Sequence, residues 1–310
     1  MMCGDVKGNI AWLAAALSPK RTGDGWYGRL PVPGTGKYGW EGFRSHKELP
    51  QEFNPERGWI GTSNHDIQPK GYYPPIMFLG SESSRWDRQL QMFAEKGTGL
   101  TAEDFEQMQH DAVHPWFAEK DLPLLRGWYS ENPDVEWARA QLVQWDGVYH
   151  RVSPAPAIHN YWRRALDDEA RQPGVSPARR RELTEAALAT ALEGLRKRLG
   201  EDRSEWRWGR LNRSEFPHTL VAAYDLPSVE RSGDGGTIAD VGATFRKIID
   251  FADFDNSRAT STPGQSMQPG SPFYSNLLPL WADEEYFPLL YSRGAVESHM
   301  THRLNLQPGR

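Results

Sequence analysis

The segment ERGWIGTSNHDIQP, residues 56–69, passes from apolar side chains into a close set of hydroxyls, amides, an imidazole and a carboxylate. Asn64 brings the plainest chemistry, because its amide offers two N–H donors of the kind that stabilise negative charge on a carbonyl oxygen during acyl transfer. An Asn in such a stretch is equally a turn former, and local chemistry leaves both readings open. His65 has no sequence neighbour that would pair a base with a nucleophile. His110 and His114 have the spacing of one helical face, with Glu106 and Asp111 as the nearby carboxylates, and read as a metal pair or as a polar surface. GDGG at 233–236 lacks the Lys and Ser or Thr of a phosphate-binding loop and the three-glycine spacing of a dinucleotide fingerprint. Neither an HExxH helix nor a Gly-x-Ser-x-Gly elbow occurs, and nothing in sequence activates Cys3. No cofactor and no metal are expected.

Composition narrows the partners. The chain has 310 residues, with 36 Lys and Arg against 41 Asp and Glu, a formal charge of -5 that gives no basic field for nucleic acid. The basic run Arg179, Arg180 and Arg181 sits in an otherwise mixed, helix-like stretch. One cysteine excludes an internal disulfide and a multi-cysteine metal site but says little about compartment. No apolar run is long enough to cross a bilayer, so no membrane partner is expected, and the start lacks the pattern of a secretion signal. Localisation stays undetermined.

Three textures follow along the chain. Residues 1–97 read as extended and loop segments: Val6, Ile10 and Trp12 flank a Gly8–Asn9 turn, and GRLPVPGTGKYGWEGF is an ordered loop feeding a short strand. Residues 98–210 read as mainly helical. Thr101 and Asp104 form a capping pair for a helix over 101–114, a second helix starts near Pro133, and a third covers Ala157–Glu169. The clearest runs from the cap Ser176 through Pro177 to the stop Gly200, burying Leu183, Ala187, Leu192 and Leu195. Residues 211–310 read as a mixed segment completing a sheet, with HTLVAAYDLP and DVGATFRKIIDFADF as extended elements. The Ser-, Pro- and Gly-rich stretch after Asn256 is a loop pinned to a core by Phe273, Tyr274, Leu277, Leu278 and Trp281.

The ordered series GNIAW, GRLPVPGTGKYGWEGF, ELPQEFNPERGWIGTSNHDIQP, WDG, SGDGGT and NSRATSTPGQSMQPGSPFYSNLLPLW resembles the C-terminal part of the penicillin acylase (penicillin amidase) family. The resemblance covers nearly the whole chain, and its widely separated pieces occur in family order. It implies an α+β chain, part of the four-layer αββα fold of N-terminal nucleophile hydrolases, with a helical insertion. In that family a cleaved precursor exposes a serine whose hydroxyl attacks an amide while its own α-amine, with a reference pKa near about 7.7, serves as base.

The resemblance implies roles residue by residue. Asn64 matches the side-chain oxyanion donor, and Arg85 in SESSRWDR matches the active-site arginine that organises the nucleophile and Asn network; read without the family, Arg85 is a surface or helix-start ion-pair residue. Asn212 stands where the family commonly has His. The family's α region, its serine junction and its early β-chain segment are not found ahead of CGDVKGNIAW, and Cys3 precedes the wrong segment to replace the serine. The expected partners are therefore an acylase α region, the N-terminal part of a β chain, and an amide or lactam small molecule such as a β-lactam antibiotic or an acylated homoserine lactone. The alternative is a noncatalytic remnant or interaction subunit. A partial sheet would leave an open edge with exposed backbone and apolar groups.

Overall fold

A computed structural model describes residues 1–22, 25–73, 75–78, 83–239 and 242–309. Ser81 and Glu82 of SESSRWDR, and Asp240 and Val241 at the start of one expected extended element, lie outside the described residues. The chain divides into two compact units, Met1–Gln89 and Leu90–Arg310.

The first unit contains strands β1 (Met2–Gly4), β2 (Ile10–Leu13), β3 (Pro19–Arg21), β4 (Trp40–Phe43) and β5 (Gln51–Phe53), and its last residues begin helix α1 (Ser84–Lys96). Antiparallel pairing gives one sheet in the order β1-β2-β5 and a second, two-stranded sheet of β3 and β4. The β1–β2 turn lies where the Gly8–Asn9 pattern puts it. Gly8 has φ +83°, and the Asp5 carboxylate accepts from the backbone N–H groups of Lys7 and Asn9. Across β2 and β5 the Trp12 indole N–H donates to Glu52, its register partner.

Few side chains are buried in this unit. Among its described residues only Leu49, Pro50, Ser63 and Ser84 are, whereas Met2, Trp40, Phe43 and Phe53 are exposed on its strands. The outer strands of the first sheet, β1 and β5, thus carry the exposed Met2 and Phe53.

The second unit opens with α2 (Ala102–Gln109), α3 (Leu122–Leu125), α4 (Pro133–Val143), α5 (Ala155–Ala165) and α6 (Pro177–Leu199). Several caps stand where the sequence puts them, although α2 stops at Gln109 short of the expected 114 and α5 covers Ala155–Ala165 where the sequence predicts a helix over Ala157–Glu169. Thr101 and Asp104 form a reciprocal capping box, the Asn132 side chain caps α4, Ser176 Oγ accepts from the Arg179 N–H, and Gly200 ends α6 at φ +93°. Leu125, Ala138, Leu142, Ile158, Trp162, Leu188, Leu195 and Trp206 fill a common core, each at most fractionally exposed. Burying a side chain of this size contributes about 1.5–3 kcal/mol, which explains why helical order concentrates here.

The remaining elements are β6 (Arg213–Phe216), β7 (Leu226–Glu230), β8 (Phe245–Ile248), β9 (Arg258–Ser261), α7 (Leu278–Ala282), β10 (Phe287–Pro288) and α8 (Arg293–His299). β6 pairs with β7, and β8 and β10 flank β9, all antiparallel. Most of HTLVAAYDLP is not strand: Ala222–Tyr224 is a tight helical turn, and pairing begins only at Leu226. The loop after β9 is pinned as expected by Leu278 and by fully buried Trp281, but Phe273 is exposed. No helix among the described residues is long and apolar enough to cross a membrane.

Candidate active site

The residues around Asn64 are fixed by the first turns of α1. Ser83 Oγ accepts from the Trp86 backbone N–H, satisfying a donor that the start of a helix otherwise leaves orphaned, and donates to the Ser63 carbonyl at 3.1 Å. Gly61 lets the preceding segment approach: a Cβ there would stand 2.8 Å from Gln89 Oε1 and 3.0 Å from the Trp86 ring. The His65 imidazole stacks on the Trp86 indole with ring centroids 4.0 Å apart and planes 15° apart.

At the centre of this arrangement Arg85 Nη2 donates to Asn64 Oδ1 at 2.9 Å and to the Ser63 carbonyl at 3.2 Å. The two residues assigned by resemblance are therefore in direct contact. Asn64 adopts φ +60°, a left-handed conformation that Asn tolerates better than most side chains. A guanidinium has donors only, so it captures the oxygen of the amide and leaves Nδ2 turned away. Nδ2 meets no hydrogen-bond partner among the described residues, and Asn64 is exposed. The result is an oriented N–H donor at the surface of the unit.

His65 is held by packing and by the backbone. Its Nδ1 accepts from the Ser63 backbone N–H at 3.4 Å, and burial pushes its pKa below the ordinary range, only partly opposed by the Asp66 and Asp87 carboxylates. Its ring is engaged by the Trp86 stack and the Ser63 N–H. A cavity of about 490 Å³ lies beside this turn, lined by Trp12, Glu52, Arg57, His65 and Trp86 among others; Asn64 and Arg85 are not in its lining. Glu52 in its wall is paired with Arg57 and accepts a hydrogen bond from the Trp12 indole N–H.

The other sequence candidates resolve into packing. His110 and His114 do not share a helix, because α2 ends at Gln109 and an isolated bridge between Val113 and Val148 draws the chain away. His110 Nε2 meets the Tyr286 hydroxyl at 2.9 Å, and His114 Nε2 meets Arg163 at 2.8 Å. Among the described residues no group of three or more His, Cys, Asp or Glu could hold a metal. In GDGG the Gly233 N–H donates to the Tyr149 carbonyl and a Cβ at Gly233 would fall 1.7 Å from the Ala239 carbonyl oxygen, so Gly233 serves close backbone packing, and a Cβ at Gly236 would stand 2.7 Å from His114 Nε2. Asn212 donates from Nδ2 to the carbonyls of Arg231 and Gly233, tying this same segment down. Cys3 is exposed on β1.

Sequence reasoning missed Ser63, Ser83 and Gln89 around the site. Ser83 carried a signal, as a hydroxyl residue just ahead of a helix; Gln89 carried none, because its partner Ser63 is 26 residues away. A buried hydrogen-bonded cluster was also missed in the second unit. Asp121 accepts from His159 Nε2 and from Arg171, both at 2.9 Å, while His159 Nδ1 meets the Tyr149 hydroxyl at 2.6 Å. Burial alone would raise the Asp121 pKa, but the His159 hydrogen bond and the neighbouring cations hold it at about 2.

The family model described as Penicillin amidase matches residues 1–298. The chain belongs to the penicillin amidase family. Acyl-homoserine lactone acylase QuiP of Pseudomonas syringae pv. syringae is 24% identical to it across 97% of this chain and 45% of its own length. The protein of that name from Pseudomonas putida is 29% identical over 141 residues, 40% of this chain and 17% of its own. A thermostable penicillin G acylase from Alcaligenes faecalis superposes with a TM-score of 0.66 at 16% identity, covering 100% of this chain and 68% of that one. That likeness shows the fold: a mixed helix and strand structure resembling an N-terminal nucleophile hydrolase. The chain spans less than half the length of these two lactone acylases.

Proposed function

We propose that this family member serves an amidohydrolase as its oxyanion-stabilising part, in the cleavage of a linear or cyclic carbon–nitrogen amide by acyl transfer. The observation that carries the reading is the Arg85–Asn64 contact, which turns the Asn64 Nδ2 donor outward. In this reading the chain is the distal part of an acylase β chain, with residues 1–97 holding the site, 98–210 a helical region and 211–310 the closing mixed segment. The attacking serine and its α-amine come from the start of a β chain, whose N-terminal part, with an acylase α region, is polypeptide beyond these residues. The substrate is an N-acylated small molecule; the names of the relatives favour an acylated homoserine lactone, and a β-lactam is the second candidate.

Catalysis then follows from charge. As the attacking oxygen adds to the acyl carbon, the carbonyl oxygen becomes anionic, and a pre-oriented N–H stabilises it without reorganising at the moment of reaction. Asn64 alone supplies no attacking group, so the chain by itself should hydrolyse nothing above an inactivated control. Expressing it with a serine-bearing acylase region, processed at its junction, tests the reading: turnover of acyl-homoserine lactones or penicillins should appear and should fall about 100- to 1000-fold in the Asn64→Asp variant. A processed, folded complex that stays inert would favour a noncatalytic remnant or interaction subunit instead.

A further inference from the structure

We propose that Gln89 and Ser83 are positioning residues for the Asn64 amide, acting through Ser63. This inference rests on the reading of Asn64 as an oxyanion donor and adds to it the device that holds the donor still. Ser63 is buried, and three side chains from the start of one helix grip it. Ser83 Oγ donates to its carbonyl at 3.1 Å, Arg85 Nη2 donates to the same carbonyl at 3.2 Å, and Gln89 Nε2 donates to its hydroxyl at 2.7 Å. Arg85 and Gln89 are four residues apart on α1 and so share a face.

The consequence for Asn64 is geometric. The Ser63 carbonyl belongs to the peptide plane that leads directly into Asn64, so fixing that oxygen from two donors fixes the plane from which the Asn64 side chain departs. Its own φ of +60° occupies a small allowed region, which leaves the backbone little latitude on the other side. Arg85 then sets the last rotation through Oδ1. With Ser63 withdrawn from solvent, water cannot readily replace a lost donor, and the turn relaxes to find one. Gly61 fits the same device, since the Gln89 Oε1 atom occupies the space where any larger residue would put its Cβ.

The test uses the completed, processed acylase. Gln89→Leu and Ser83→Ala should each lower kcat about 10-fold while KM moves less than about 2-fold, because small misplacements of a transition-state donor act on turnover. Ser83→Thr, which retains the hydroxyl, should restore kcat to within about 2-fold. In an Asn64→Asp background the Gln89→Leu change should cost less than about 2-fold, since the donor it positions is gone. Equal losses in both backgrounds would assign Gln89 a general structural role and overturn the proposal. Failure of the underlying reading looks different: Asn64→Asp itself would leave turnover intact. The positioning claim is then decided on the chain by a proton–nitrogen correlation spectrum, in which Gln89→Leu should shift the paired Asn64 Nδ2 signals and leave signals of the helical core in place. Unmoved Asn64 signals would overturn it.

Discussion

Arg85 Nη2 stands 2.9 Å from Asn64 Oδ1, and because a guanidinium can only donate, that contact decides which end of the Asn64 amide faces outward. The assignment of oxygen and nitrogen in this side chain therefore follows from its partner. What remains exposed is an N–H pair on a backbone held in a left-handed turn.

Substitutions at Asn64 should separate chemistry from conformation. In a completed acylase Asn64→Asp and Asn64→Gly are both expected to lower kcat by about 100- to 1000-fold, since each removes the N–H donor while tolerating the backbone. Asn64→Ala should lose the same turnover and in addition about 1–2 kcal/mol of stability, the cost of a left-handed Cβ. Steady-state kinetics beside chemical denaturation of all three variants checks the split. Equal stability of the Ala and Gly proteins would contradict the backbone assignment.

Arg85 should act on turnover through orientation. Arg85→Met leaves the Asn64 amide free to rotate and is expected to reduce kcat about 10- to 100-fold with a smaller change in KM, on the scale seen when a catalytic group is displaced by about 1 Å. Arg85→Lys should fall between, because one ammonium on a flexible stem replaces a planar donor that now serves two acceptors. An Arg85→Met enzyme with unchanged kcat and raised KM would mean that Arg85 binds substrate instead.

Hydrogen exchange on the 310-residue chain should be strongly uneven. Backbone amides in α4, α5 and α6, which surround Leu142, Ile158, Trp162 and Leu188, are expected to exchange slowest. Those in β1 to β5 should exchange orders of magnitude faster, because their unit buries almost no apolar side chain. Uniform protection across both units would refute the picture of a weakly cored first unit.

Acid should loosen the second unit well above the range of ordinary carboxylates. His110 is pushed to about 3 by burial and then by the Arg246 and Arg231 charges; His114 is pushed to about 3 by burial, then by Arg163 and His159, with Asp121 opposing. Both are neutral when folded, while an unfolded His titrates near about 6.5. The unfolded chain therefore binds more protons between those limits, and stability present above about 6.5 is lost as pH falls toward 3, by up to about 1.4 kcal/mol per pH unit for each histidine. Urea unfolding followed by tryptophan fluorescence at pH 7 and pH 5 measures this, and His114→Gln should flatten the slope. A stability that rises on acidification would contradict the burial of these rings.

How much of this was legible in the sequence depended on how local the deciding contact is. The caps at Thr101, Ser176 and Gly200 sit within a turn of the residues they serve, and each occupies its expected place. The helix ending at Gln109 was misplaced because periodicity continues to His114, whereas the Val113–Val148 bridge that stops it comes from a segment 35 residues later in the chain, as the numbering shows. At the site, local chemistry offered Asn64 without choosing between turn and donor. The φ of +60° bears out the turn, and the donor role is the one proposed above on the strength of the Arg85 contact. Arg85 came only through family resemblance, and Gln89 not at all, because nothing near either residue announces a partner more than 20 positions upstream.

The left-handed backbone at Asn64 also bears on how this position can vary by descent. Gly, Asn and Asp are the residues that enter such a conformation most readily, so folding by itself admits a very short alphabet there. Of those three, only Asn carries an N–H donor on its side chain. Drift away from Asn64 thus has two easy destinations, each of which preserves the turn and removes the N–H donor, and a lineage could lose the proposed oxyanion contact in one substitution while its structure records almost nothing of the loss.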